Sequence, residues 1–117
     1  MRDSKLEVKI YNILTDYGVP FEEEYTFNDL MSSSGRLLRF DFAVFDDDEL
    51  DFLIEAQGIQ HYQPVKKFGG ARGLYRQQYN DNLKKQYCLK HNIRLITIPY
   101  YDENKLSYDY IMRAAGY

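Results

Sequence analysis

At 117 residues and 14.0 kDa, the chain is one domain's worth of polypeptide, with no room for a second core. Hydrophobic residues at 44% and charged residues at 28% exclude wholesale disorder, and no apolar run approaches the roughly 18 residues of a membrane helix. The net charge of −3 divides unevenly: residues 1–59 hold 5 Lys/Arg against 14 Asp/Glu, and residues 60–117 hold 10 against 4.

Ser4 reads as a helix N-cap, with Glu7 completing a capping box. The polar start Met1-Arg2-Asp3-Ser4-Lys5 lacks the apolar stretch of a signal peptide. Leu6, Ile10, Ile13, Leu14 and Tyr17 recur at helical spacing, and Gly18 with Pro20 closes a first helix over 5–17. Phe21 to Phe27 alternates aromatics with Glu and Thr, as an edge-like strand does, and Asn28 to Gly35 reads as a polar loop. Leu37–Phe45 and Leu50–Gln57 form a predicted hairpin around the acidic turn Asp46-Asp47-Asp48-Glu49.

After Gly58 comes an irregular stretch through Gly69-Gly70. A second helix is predicted over 72–90, with Tyr75, Tyr79, Leu83 and Tyr87 as one stripe and Asn92 as its stop. Ile93 to Pro99 is apolar on both faces apart from Arg94 and Thr97, the pattern of a buried central strand. A short helix over 104–115 ends the chain. The order is α-β-β-β-α-β-α within a single domain, 1–117. Cys88 reads as core, since one cysteine can neither staple the fold nor build a zinc site. His91 is a favourable helix C-terminal residue. The expected setting is intracellular and reducing, without a membrane partner.

If the hairpin is centred on Asp48, residue i faces residue 96−i, and Asp41 faces Glu55. This register gathers Phe40, Phe42, Val44, Phe52, Ile54 and Ala56 on one face. Arg39, Asp41, Ala43, Leu53, Glu55 and Gln57 share the other. Directly opposed residues have Cβ atoms roughly 4.5–5.5 Å apart, so two carboxylates there repel unless a cation lies between them. Magnesium, bound by one or two carboxylates plus water and substrate phosphate, suits such a pair. The alternative is two acids decorating a solvated sheet face. Between Lys66 and Arg94 there are eight basic residues and one acid, Asp81, a balance compatible with phosphate binding and equally with a solvated helix.

Asp41, thirteen intervening residues, then Glu55-Ala56-Gln57 resembles the active-site hairpin of the PD-(D/E)XK nuclease superfamily. More narrowly, Arg39-Phe40-Asp41-Phe42, Glu55-Ala56-Gln57-Gly58-Ile59-Gln60-His61-Tyr62 and Asp81-Asn82-Leu83-Lys84 resemble small phage-type and very-short-patch-repair-like endonucleases; the likeness covers about residues 5–100. It implies a restriction-endonuclease-like α/β fold, an α-β-β-β-α-β core with a mixed central sheet flanked by helices. It also implies that Asp41 and Glu55 ligate magnesium (manganese substituting), with the Ala56 carbonyl and the first-helix Glu7 as further ligands. Gln57 stands where the superfamily usually has lysine and cannot carry its charge. Lys84, one helical turn from Asp81, is the candidate replacement. His61 is then a general base, a phosphate contact or a leaving-group acid.

Lys66, Lys67, Arg72 and Arg76 lie where DNA phosphates would pass, and Tyr62 and Tyr75 where sugar or base would pack. The expected function is a magnesium-dependent DNA endonuclease without a small-molecule cofactor, working in the cytoplasm (of a bacterial host, if phage-encoded). With one site per chain, double-strand cleavage would need a homodimer or two successive nicks. A catalytically silent nuclease-fold module that binds nucleic acid or a partner protein, and an RNase of the same fold, are the rival expectations.

Overall fold

The computed structural model describes residues 4–117, so the reading of the first three residues lies outside it. The chain runs α1 (Lys5–Asp16), β1 (Phe21–Met31), β2 (Leu37–Asp46), β3 (Glu49–Gln57), α2 (Gly70–Lys90), β4 (Arg94–Pro99) and α3 (Tyr108–Ala114). Short 3-10 turns stand at Ile59–His61, Lys66–Phe68 and Tyr100–Lys105. Four strands form one mixed sheet in the order β1-β2-β3-β4, antiparallel except for the parallel pair β3–β4. The fold is α/β, in the order read from the sequence. Among the described residues no helix is long and apolar enough to cross a membrane.

Local chemistry sets the ends of the helices. The Ser4 hydroxyl accepts the Glu7 N–H at 3.1 Å, and Ser107 does the same for Tyr110 in α3 at 3.0 Å. At the far end of α2, Asn92 adopts φ +56° while Ile93 N–H bonds Cys88 C=O and Asn92 N–H bonds Leu89 C=O, a Schellman closure. The His91 ring rests 4.2 Å from that of Tyr87.

Each face of the sheet carries its own core. Leu6, Ile10 and Leu14 of α1, with Ile111 of α3, pack on Phe42, Val44, Phe52, Ile54, Ile96 and Ile98. On the opposite face, Cys88, Leu83 and Tyr87 of α2 cover Phe40, Ala43 and Leu53. Cys88 is a buried free thiol, and burial pushes its pKa up to about 11.

The β2–β3 hairpin is tighter at its tip than a turn centred on Asp48. Asp47 and Asp48 both have positive φ, 55° and 65°, as a two-residue I′-type turn requires, and Asp46 pairs with Glu49. Phe45 then pairs with Leu50 but Val44 with Phe52, so Asp51 is an extra residue, a β-bulge. Beyond the bulge the pairs Val44–Phe52, Ala43–Leu53 and Phe42–Ile54 follow the expected register. Without it Glu55 would oppose Phe40 and not Asp41.

Five expectations are corrected. Phe40 does not share a face with Phe42 but packs under α2. The alternation resets at Asp41, opposite Glu24, whose φ of +51° interrupts β1 between the pairs Glu23–Phe42 and Tyr25–Phe40. Phe40 and Phe42 are thereby both fully buried, each worth about 1.5–3 kcal/mol, which outweighs about 0.5–1.5 kcal/mol for a displaced ladder hydrogen bond. β4 is an edge strand, not a central one: its apolar letters report helices on both faces, and nothing follows it in the sheet. Tyr75 and Tyr79 are exposed, because the first half of α2 extends past the sheet and only Leu83 and Tyr87 of that stripe reach the core. The segment 28–31 continues β1, and the C-terminal helix is confined to Tyr108–Ala114 behind a 3-10 turn.

Gly73 sits in the first turns of α2, where an added Cβ would lie 1.7 Å from the Phe68 carbonyl oxygen. Gly73→Ala is therefore expected to push the 58–69 connection off α2 and lower the melting temperature by about 5–10 °C. An unchanged thermal melt would show that this contact is not needed.

Candidate active site

Because β3 and β4 are parallel and in register, with Glu55 opposite Thr97 and Gln57 opposite Pro99, their C-terminal ends open at one edge of the sheet. Ligand crevices of α/β sheets form outside such ends. α2 crosses above them and leaves a cleft of about 340 Å³, lined among others by Glu55, Gln57, Asp81, Asn82, Lys84 and Lys85.

Glu55 and Lys84 are the buried charged residues of the described chain, 4% and 8% exposed. The Lys84 Nζ donates to Glu55 Oε2 at 3.1 Å and lies 5.5 Å from the centre of the Phe40 ring. The second Glu55 oxygen accepts the Asp41 backbone N–H at 3.1 Å, and the Asp41 carboxylate accepts the Ala56 N–H at 2.7 Å. Each acid thus takes a strand amide of the neighbouring strand, at the level where the alternation of β2 resets. Burial raises the Asp41 carboxyl above its ordinary range, against the Ala56 amide and the Lys84 charge. Burial and then the Asp41 charge push Glu55 up to about 8, against the pull of Lys84.

A second group backs the first. Asp81 holds His61 Nδ1 through Oδ2 at 2.8 Å and accepts from Gln77 Nε2 through Oδ1 at 3.3 Å. An ionised carboxylate only accepts, so the proton of this bond is carried by Nδ1. The His61 side chain is 8% exposed, so its ring lies behind Asp81 and not on the open wall. The Tyr62 hydroxyl donates to Gln57 Oε1 at 2.8 Å, which leaves the amide N–H groups of Gln57 as its remaining donors at the cleft.

Asp41, Glu55, Ala56, Gln57, His61, Tyr62, Asp81 and Lys84 therefore converge on one end of the sheet. Glu7 does not join them: its helix packs on the opposite face of the sheet from Lys84, and Glu7 is not part of the cleft wall. Its backbone N–H is capped by the Ser4 hydroxyl in the first turn of α1. Lys67 and Arg76 line a neighbouring depression with Gln60, and Arg76 also borders another formed by Ser32–Ser34 and Arg36. Lys66, Arg72 and Tyr75 are exposed on the same connection and helix. The sequence reading overlooked Gln77, although 77, 81, 84 and 88 recur at helical spacing and mark the inner stripe of α2 more faithfully than its tyrosines.

The donor set bears on the metal that the nuclease resemblance implies. Among the described residues no three His, Cys, Asp or Glu side chains converge as metal ligands. Two adjacent carboxylates, both disfavouring their own charge, with a buried cation already drawn to one of them, fit a hard divalent ion that takes its remaining ligands from water and substrate. The pair fits magnesium as a two-carboxylate site, with Glu7 outside it.

No family model and no solved structure matches this chain. Two curated viral proteins are similar to it. It is 39% identical over 69 residues to Uncharacterized protein 094L of Frog virus 3 (isolate Goorha), across 57% of this chain and 43% of that protein. It is 40% identical over 48 residues to Uncharacterized protein 307L of Invertebrate iridescent virus 6, across 40% of this chain and 24% of that protein. The chain spans less than half the length of each of these relatives.

Proposed function

We propose that this chain is a magnesium-dependent nuclease of the PD-(D/E)XK type that hydrolyses phosphodiester bonds in DNA. The observation that carries the reading is the buried Glu55, held by the Lys84 ammonium on one oxygen and by the Asp41 amide on the other. A lone buried carboxylate would be costly, and a structural ion pair would not need a second carboxylate beside it. The two viral relatives favour a viral origin.

Asp41 and Glu55, with the Ala56 carbonyl, would hold the ion; when bound, it would offset phosphate charge and acidify a water. Hydrolysis forms one P–O bond from water and breaks one ester P–O bond, so the site must accept a proton from water and return one to the leaving oxygen. Lys84 brings the positive charge that Gln57 lacks, from α2 and not from β3. It offsets charge on phosphate and orients the attacking water through hydrogen bonding. Gln57, its oxygen occupied by Tyr62, presents N–H donors to a phosphate oxygen. Asp81 at the cleft wall would accept the proton from water, with His61 behind it donating Nδ1–H to its other face and so orienting it. The buried ring is placed for that and not for direct phosphate contact.

Plasmid nicking with magnesium, or with manganese in its place, tests the reading. Asp41→Asn and Glu55→Gln are each expected to lower cleavage at least about 100-fold relative to wild type. Equal cleavage by all three proteins would move the site elsewhere. Salt-dependent DNA binding without cleavage would instead favour a silent binding module, and preference for RNA under identical conditions a ribonuclease. One site per chain implies nicks, or paired cuts by a homodimer.

A further inference from the structure

We propose that Tyr62, Tyr100 and Tyr101 form a stacking platform for unpaired bases beside the cleft, which makes single-stranded DNA, or the unpaired arm of a branched duplex, the preferred substrate. The inference rests on the nuclease reading and adds a substrate class to it.

Tyr100 and Tyr101 are far from Tyr62 in sequence, and the parallel β3–β4 pairing brings them together. Gln57 lies opposite Pro99, so the 3-10 turn after β3 and the one after β4 leave the sheet side by side. The Tyr62 ring is 5.8 Å from Tyr100 and 5.9 Å from Tyr101, and those two rings meet edge-on at 5.4 Å. All three are open to solvent, at 42%, 40% and 66% exposure. Phe27 and Phe40 meet inside a core and Tyr17 and Tyr108 stack on each other as an isolated pair, whereas here three exposed rings gather beside the cleft.

Tyr62 links the cluster to the chemistry, because its hydroxyl is bonded to Gln57 on the cleft wall. A nucleotide whose phosphate lies at Gln57 therefore has its base or its neighbour's base within reach of these rings.

The distribution of charge separates base from backbone. Around the platform the cations are engaged: Lys9 donates to the Glu103 carbonyl at 2.9 Å and Lys105 pairs with Asp102 at 3.7 Å, while Asp102 also accepts from Tyr110 at 2.7 Å. Lys9 and Lys105 balance Asp102 and Glu103, so the platform carries no excess positive charge to draw a phosphate and offers ring faces instead. Lys67 and Arg76 lie instead beside Gln60, where a backbone is attracted. Paired bases present edges and not faces to a protein, so only unstacked bases can use such a platform.

The test compares a single-stranded oligonucleotide, a blunt duplex of the same sequence and a duplex with one unpaired arm, by fluorescence anisotropy in EDTA and by cleavage in magnesium. The single strand and the armed duplex are expected to bind at least about tenfold tighter than the blunt duplex. Tyr101→Ala, a change at an exposed ring, is expected to erase that difference with an unaltered melting temperature, and Tyr101→Phe to retain it. If all three ligands bind alike and Tyr101→Ala matches wild type while the blunt duplex is still cut, the platform is refuted and the nuclease reading stands. If none of the substrates is cut or bound, the nuclease reading fails and the platform with it.

Discussion

Lys84→Met is expected to abolish cleavage, by about 100-fold or more, while leaving the fold in place. Methionine keeps the bulk of the stem against Phe40 but removes the ammonium that lies 3.1 Å from Glu55. Breaking a buried pair by deleting one partner costs about 3–5 kcal/mol when the other charge stays. Glu55 has a cheaper course, because burial and Asp41 already hold its carboxyl near pH 8 and it can take up a proton. The melting temperature should therefore drop by about 10 °C at pH 8 and by much less at pH 5. Adding Glu55→Gln to Lys84→Met removes the stranded charge, so the double variant should recover stability without recovering cleavage. Wild-type nicking rates from Lys84→Met would eliminate this lysine as the cation of the site.

The stability of the metal-free protein should fall as pH rises, the reverse of the behaviour of a salt-bridged acid. Asp41 and Glu55 are both raised, Glu55 from 4.5 to about 8, so over that range the folded protein binds more protons than the unfolded chain. The slope of unfolding free energy against pH follows the protons bound unfolded minus those bound folded, which is negative here. The contribution is fully present below about pH 4.5 and lost as pH passes 8. In EDTA the melting temperature should drop by about 5–10 °C between pH 5 and 8, and Asp41→Asn or Glu55→Gln should flatten the profile. A divalent ion binds the deprotonated pair, so the rise in melting temperature on adding magnesium should be larger at pH 8 than at pH 5. A flat profile in EDTA, unchanged by either substitution, would mean that the pair is solvated and that the energetic case for a metal fails.

Much of this was legible in the letters because it depends on short-range pattern. The Ser4 cap, the spacing of Leu6, Ile10 and Leu14, the Asn92 stop and the two-residue periodicity of the hairpin are local consequences of backbone geometry. The nearness of Asp41 and Glu55 was expected from a face-sorting argument; the bulge at Asp51 restores its register from Val44 to Phe42, although the turn is centred differently and Phe40 leaves the face it was given. The edge position of β4 was not legible, since a strand covered by helices on both faces reads as central whether or not a further strand pairs with it. Nor was the exposure of Tyr75 and Tyr79, because a helix longer than the sheet beneath it keeps its apolar letters after it has run out of core.

The amino-acid order alone set the α/β class, the succession of elements and the acidic hairpin, because each arises from periodicity and capping between near neighbours. Whether Lys84 reaches Glu55, His61 meets Asp81, Glu7 stays away and three tyrosines gather at Gln57 depended on the packing of α2 and β4 against β3. Those contacts join residues up to about forty positions apart, and no local rule of chain geometry reaches that far.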